Sequence, residues 1–196
     1  MTAGILDPTI SRPTHGGTGH TGIGSAPGAG PDSAVPPRVT DLAGLRVGLL
    51  ENTKRHAAEV LDAVGAALVT LRPGHQPLQL TRLTKENFAM PLAEGLVEQL
   101  VRDCDVVVIG VGDCGSCSAA AVADGIVLEG RGLPVAVVCT EAFDVTSRAM
   151  ARLKGHPDYP YLLMPHPIAN LTQEGIAERG RDLAVRINAH LTGTAA

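Results

Sequence analysis

Tryptophan is absent from this 196-residue chain, which carries only two tyrosines and two phenylalanines. So few aromatic faces leave little with which to stack on nucleobases. Lysine and arginine number 16 against 20 aspartates and glutamates, a net charge of −4, and basic runs are missing. Nucleic acid and anionic membrane surfaces therefore find no concentrated counter-charge. No apolar stretch approaches the ~20 residues that span a bilayer. The opening MTAGILDPTISRPTHGGTG also lacks the basic region and apolar core of a secretory signal. The expected setting is the cytoplasm, where thiols stay reduced. Four cysteines there speak for reactivity, metal binding or burial rather than a disulfide framework. The expected partners are a small-molecule substrate and a protein partner or second copy of the chain, with no nucleic acid and no membrane.

Two regions differ in composition. Residues 1–38 are dominated by glycine, proline, serine and threonine, and cannot bury enough apolar surface to offset ordering entropy. They read as a flexible or extended arm, in which only Ile5 and Leu6 offer an apolar foothold. His15 and His20 are separated by glycines that impose no ligand spacing, so they read as solvated side chains. Residues 39–196 read as a single α/β domain.

Within that domain, strands alternate with helical patterns. LRVGLLEN (45–52) predicts a strand, HAAEVLDAVGAAL (56–68) a helix, and ALVTLRP (67–73) a second strand closed by Pro73-Gly74. TKENFAMPLAEGLVEQLVRDC predicts a helix that begins near Pro91 and sets Leu92, Leu96, Val97 and Leu100 on one face. DVVVIGVGD (105–113) and PVAVVCTEAF (134–143) are apolar on both faces and so read as central strands. Helices are expected over 117–130 and after Val145, with a short strand at 161–168 and a closing helix that lines up Ile176, Leu183, Ile187 and Leu191. Such alternation requires right-handed crossovers and a parallel sheet covered on both sides. The fold expected is a flavodoxin-like or Rossmann-like three-layer sandwich, with a parallel sheet of about five strands in the order 2-1-3-4-5.

Ligands of such folds bind outside the carboxyl ends of the strands. Those ends carry Asn52, Asp113-Cys114, Cys139-Thr140-Glu141 and Pro165-His166-Pro167, while the strand bodies are apolar. In GDCGSCS (112–118), glycines permit a tight turn and Cys114 falls between strand and helix, with Cys117 at the first helical turn. Helix N–H groups stabilise a thiolate, so either sulfur could ionise readily. A second thiol three residues on can resolve a bond formed on the first. The competing reading is that both sulfurs merely pack against the alanine-rich helix that comes next. Structural zinc would need further soft ligands; Cys139 and His166 are candidates, but no second C-x-x-C and no close histidine pair is present. No metal is expected. A thioredoxin-like arrangement is disfavoured because the pair comes late, after two strand–helix units.

Around the loop, Asp113 could accept a proton or oppose a thiolate by repulsion. Glu141 could act as acid or base, or cap a helix. His166 could activate Cys114 in the manner of a Cys–His pair, or be an ordinary loop histidine. Asn52, Ser116, Ser118, Cys139 and Thr140 are candidate substrate contacts. Cys139 also reads as a buried strand residue, Thr53 as a helix cap, Arg148 as a solvated side chain and Cys104 as packing.

GVGDCGSCS resembles the signature of the UGSC-motif (seleno)protein family, as do ILDPT near the start, LRVGLLENTK, VVCTEAF and LMPHPI. The resemblance covers nearly the whole chain outside the glycine-rich stretch at about 15–35. It implies that Cys114 occupies the position of a selenocysteine, with Gly115, Ser116 and Cys117 after it; Ser118 stands where threonine is expected. Selenium at that position implies redox or nucleophilic work. The leading expectation is a thiol-dependent enzyme in which Cys114 attacks a small electrophile and Cys117 resolves or assists. Asp113, Glu141 and His166 would handle protons, and a carbon–heteroatom bond would be cleaved or formed. No cofactor is required by the sequence, though an external thiol or protein reductant would serve redox turnover. One alternative is a cofactor-independent two-cysteine racemase or lyase using Cys114 and Cys139. Another is a non-catalytic subunit binding a partner or ligand in the same crevice.

Overall fold

Period-two burial on the central strands organises the fold. On β3 (Val106–Gly112), Val106 and Val108 face one side, while Val107 and Ile109 face the other, all at most 1% exposed. A strand buried on both faces needs cover on both faces. In the computed structural model, which describes residues 36–71 and 76–194, that cover is helical. β1 (Arg46–Glu51), β4 (Val135–Thr140), the edge strand β2 (Gln79–Thr84) and the short β5 (Leu162–Met164) complete a five-stranded sheet in the order β2-β1-β3-β4-β5. Every pairing is parallel. The fold is the expected flavodoxin-like α/β sandwich.

α1 (Ala57–Thr70) and α5 (Gln173–Thr192) pack on one face, where Val60, Val64, Leu183 and Ile187 are fully buried beside Val47 and Val108. α2 (Glu94–Asp103), α3 (Gly115–Gly130) and α4 (Asp144–Leu153) contribute to the core of the other face, with Leu100, Val122 and Ala151 against Val107, Ile109 and Val137. The α1–α5 crossing depends on Gly180: a Cβ there would lie 2.5 Å from the Ala63 Cβ and 2.7 Å from its carbonyl carbon. Backbone cannot step aside as a flexible side chain can. Gly180→Ala is therefore expected to cost about 2–3 kcal/mol, read as a lower urea midpoint at unchanged slope.

The second strand departs from expectation. Residues 67–70 continue α1, and β2 lies later, at Gln79–Thr84. Leu61, Val64 and Leu68 keep helical spacing and are all buried, so helix burial prevails over the β-like composition of ALVTL. QLTRLT escapes notice because it is an edge strand with only Leu83 buried. α2 likewise starts at Glu94, and Pro91 precedes it. Thr53 does not cap α1; His56 holds that position with left-handed φ 64, and the Thr53 hydroxyl donates to the Asn52 carbonyl at 2.7 Å. The expected arm at 1–38, with Ile5, Leu6, His15 and His20, lies outside the described residues except for its last three positions. Among the described residues no helix is long and apolar enough to cross a membrane.

Candidate functional site

β3 is irregular where it approaches its carboxyl end. Ile109 pairs with Val137 and Gly112 with Cys139, so three steps on β3 match two on β4. Such a bulge turns the strand end and re-aims the side chains beyond it. Gly112 then presses on the first turn of α3: a Cβ there would lie 2.8 Å from the Cys139 sulfur and 2.8 Å from Ser118 Cα. Only glycine lets the strand end and the helix start meet this closely.

Cys114 is the N-cap of α3, in extended backbone, and its sulfur accepts the Cys117 N–H at 3.3 Å. Cys114 and Cys117 are joined in a disulfide, with their Cα atoms 5.3 Å apart. N-cap and third helical position lie on the same side of the first turn, which brings the sulfurs within bonding reach. The two partners differ in access. Cys114 is partly exposed, whereas Cys117 is completely buried. Ser116 is exposed, its hydroxyl 3.6 Å from the Cys114 sulfur.

Next to Cys114, the Asp113 carboxylate meets His166 across the end of β4. Asp113 Oδ1 lies 2.7 Å from His166 Nδ1, and Oδ2 accepts the Ile168 N–H at 3.4 Å. Thr140, at the end of β4 between them, donates its hydroxyl proton to the Gly112 carbonyl at 3.3 Å. Its oxygen is then an acceptor 3.3 Å from His166 Nδ1. Nδ1 faces two acceptors and so carries the proton, which in the neutral ring leaves Nε2 with the lone pair. The Asp113 side chain is 9% exposed and that of His166 37%, so a buried carboxylate orients an accessible imidazole. Phe143 fixes the ring from the side, edge-to-face at 5.3 Å. His166 is joined to Pro167 by a cis bond.

The remaining candidates separate by burial. Asn52 is 3% exposed; its side-chain amide donates to the Val111 carbonyl at 2.8 Å, tying β1 to β3 where the chain order reverses. Ser118 and Cys139 are fully buried against Gly112. Asn52, Ser118 and Cys139, expected as substrate contacts, are enclosed by packing, and Asn52 Oδ1 and Ser118 Oγ are buried without a hydrogen-bond partner among the described residues. Burial also pushes the Cys139 thiol up to about 11, the opposite of what a second reactive cysteine needs. Thr140 is buried as well, but reaches the site through His166. Glu141 is exposed at the start of a short 3-10 turn ahead of α4. Arg148 pairs with Asp144 at 2.9 Å. Cys104 is 3% exposed and packs near Gly48.

One buried pair went unnoticed in the sequence. Lys85, just past β2, and Asp124, midway along α3, are 4% and 2% exposed and form an ion pair. The other Asp124 oxygen accepts the Leu92 N–H at 3.1 Å. Neither residue falls in a motif, and the misplaced second strand hid that Lys85 follows a strand directly. Among the described residues no group of three or more histidines, cysteines, aspartates or glutamates could hold a metal ion.

The family model of the UGSC family matches residues 4–193, and the cysteine loop lies inside that span. The chain belongs to the UGSC family. No curated protein matches this UGSC chain. Among solved structures it is similar to a diflavin flavoprotein A3 from Nostoc sp., at 14% identity and a TM-score of 0.39, covering 76% of this chain and 96% of that one. A flavodoxin-like domain from Synechococcus sp. is similar at 12% identity and a TM-score of 0.34, over 71% of this chain and 96% of that one.

Proposed function

We propose that this UGSC-family chain is a thiol-dependent enzyme that reductively cleaves a carbon–heteroatom bond next to an electron-withdrawing group. The observation that carries the reading is the asymmetric pair: an accessible Cys114 bonded to a sealed Cys117 at the start of α3. In the reduced protein the Cys114 thiolate, stabilised by the Cys117 N–H and the helix start, attacks the substrate carbon. A sulfur–carbon bond forms and the heteroatom leaves with its electron pair. The Cys117 thiolate then attacks the Cys114 sulfur. The disulfide forms, the sulfur–carbon bond breaks, and its electrons remain on carbon as an enolate. His166, held by Asp113, takes the proton of Cys114 and returns one to that carbon. Two thiols are oxidised while the substrate gains two electrons and one proton, and the second thiol proton leaves with the heteroatom. An external thiol or a protein reductant restores the pair.

The reading is favoured over a two-base exchange at carbon because Cys139, the second base that exchange requires, is fully enclosed. Phenacyl chloride tests the proposal in a single turnover. The reduced chain is expected to release acetophenone and to form one Cys114–Cys117 disulfide per molecule released. Cys117→Ser is expected to stop at a stable S-phenacyl adduct on Cys114, seen by peptide mass spectrometry. A parent protein that accumulates the same adduct and releases no ketone would refute the proposal.

A further inference from the structure

Beyond the cysteines, α3 turns a face of small side chains outward. Ser116, Ala119, Ala120 and Ala123 recur at helical spacing along a cleft of about 300 Å3, with Pro91 and Met150 among its other walls. The cleft runs along the helix from the residue beside the reacting sulfur, since the Ser116 hydroxyl lies 3.6 Å from Cys114 Sγ. The seven helical steps from Ser116 to Ala123 advance about 10 Å. A side chain larger than methyl at any of the three alanines would intrude on this space.

Asp124 also lines the cleft, yet it has nothing to offer a polar ligand. One of its oxygens is paired with the Lys85 ammonium and the other with the Leu92 N–H. The same two bonds fasten both ends of segment 86–91 to α3, and Ala89 and Pro91 of that segment wall the cleft. These two charges thus hold a wall in place, and the rest of the lining is apolar except for Ser116 at one end and the exposed Lys154 just past α4.

We propose that this cleft receives the apolar part of the substrate of Cys114, a short aliphatic chain running from the reacting carbon along α3 past Ala119 and Ala123. The proposal rests on Cys114 as the reacting sulfur, and it names the substrate class: electrophiles with an unbranched hydrocarbon tail rather than a sugar-like one. Burial of such a tail is worth up to ~0.8 kcal/mol per methylene. A half-open cleft should therefore give roughly two- to fourfold per methylene.

Alkyl methanethiosulfonates of increasing length test this without knowledge of the natural substrate. The Cys114 thiolate attacks the sulfenyl sulfur and methanesulfinate leaves, so a mixed disulfide forms; Cys117→Ser keeps it trapped. In reduced Cys117→Ser protein the rate, divided by that of a free thiol with the same reagent, is expected to climb two- to fourfold per methylene from methyl to butyl. Adding Ala123→Leu should flatten that climb. Adding Met150→Ala should extend it to hexyl. A flat profile in the Cys117→Ser protein, beside a methyl reagent that reacts faster than a free thiol, would overturn the cleft and spare the nucleophile. A methyl reagent no faster than a free thiol would instead overturn Cys114 as an activated nucleophile, and with it this proposal.

Discussion

Replacing Asp113 by asparagine is expected to lower single-turnover release of acetophenone by two orders of magnitude or more while leaving the fold intact. The carboxylate accepts from two donors, His166 Nδ1 and the Ile168 N–H. Asparagine has one oxygen for those two donors, and its NH2 must face the other. If it faces the imidazole, Nδ1 becomes the acceptor and Nε2 carries the proton, so the ring is in the wrong form to take one from a thiol. Positioned acid–base groups are worth ~10²–10⁴ in rate. His166→Ala should cost as much, and the double variant should be no slower than the slower single one, because the pair acts as one unit. Release within threefold of the parent in Asp113→Asn, with an unchanged circular dichroism spectrum, would remove the dyad from the mechanism.

The largest stability effect is expected at Asp124. Truncating it to alanine strands the Lys85 ammonium at 4% exposure and also frees the Leu92 N–H. Breaking a buried pair from one side costs ~3–5 kcal/mol. Lys85→Met should cost a similar amount at neutral pH, since the carboxylate is then left alone. The double change Lys85→Met/Asp124→Leu should recover most of the loss, because two apolar groups leave no charge to solvate.

The two single variants differ in pH dependence. Burial pushes the Asp124 carboxyl up, and the Lys85 ammonium opposes that rise. A carboxyl raised in the folded state holds its proton more tightly there than in the unfolded chain. Its contribution is therefore present at low pH and lost as pH rises. Removing the lysine raises the carboxyl further, so Lys85→Met should regain stability as pH falls from 7 toward 5. Asp124→Ala, lacking the group, should not. Urea unfolding of the three proteins at both pH values decides the matter; equal losses at the two pH values would refute the assignment.

How much of this could be read in advance depended on where each feature sits in the sheet. DVVVIGVG and PVAVVC announce central strands because both of their faces are buried, and the strand order came from counting strand–helix units. QLTRLT is an edge strand with only one buried side chain, so composition alone pointed to ALVTLRP instead. The cysteine loop was visible because glycines and thiols cluster in a few consecutive positions. The Asp113–His166 pairing was not: the residues are 53 apart in sequence and belong to strands on either side of β4. Two inter-strand steps of about 4.8 Å separate them, and only side chains reaching over the end of β4 close that gap. Burial likewise sorted Asn52, Ser118 and Cys139 from Cys114 and Ser116, a distinction that residue type does not carry.

The sealing of Cys117 gives the disulfide a polarity. An incoming thiol can strike only the outward sulfur of Cys114, with Cys117 as the leaving group. Cys117 is fully buried in the first turn of α3, so the departing thiolate is expected to stay beside Cys114. On the proposed redox cycle, an electron donor would therefore be small or convex enough to approach the helix tip, and every donor intermediate should be found on Cys114 alone.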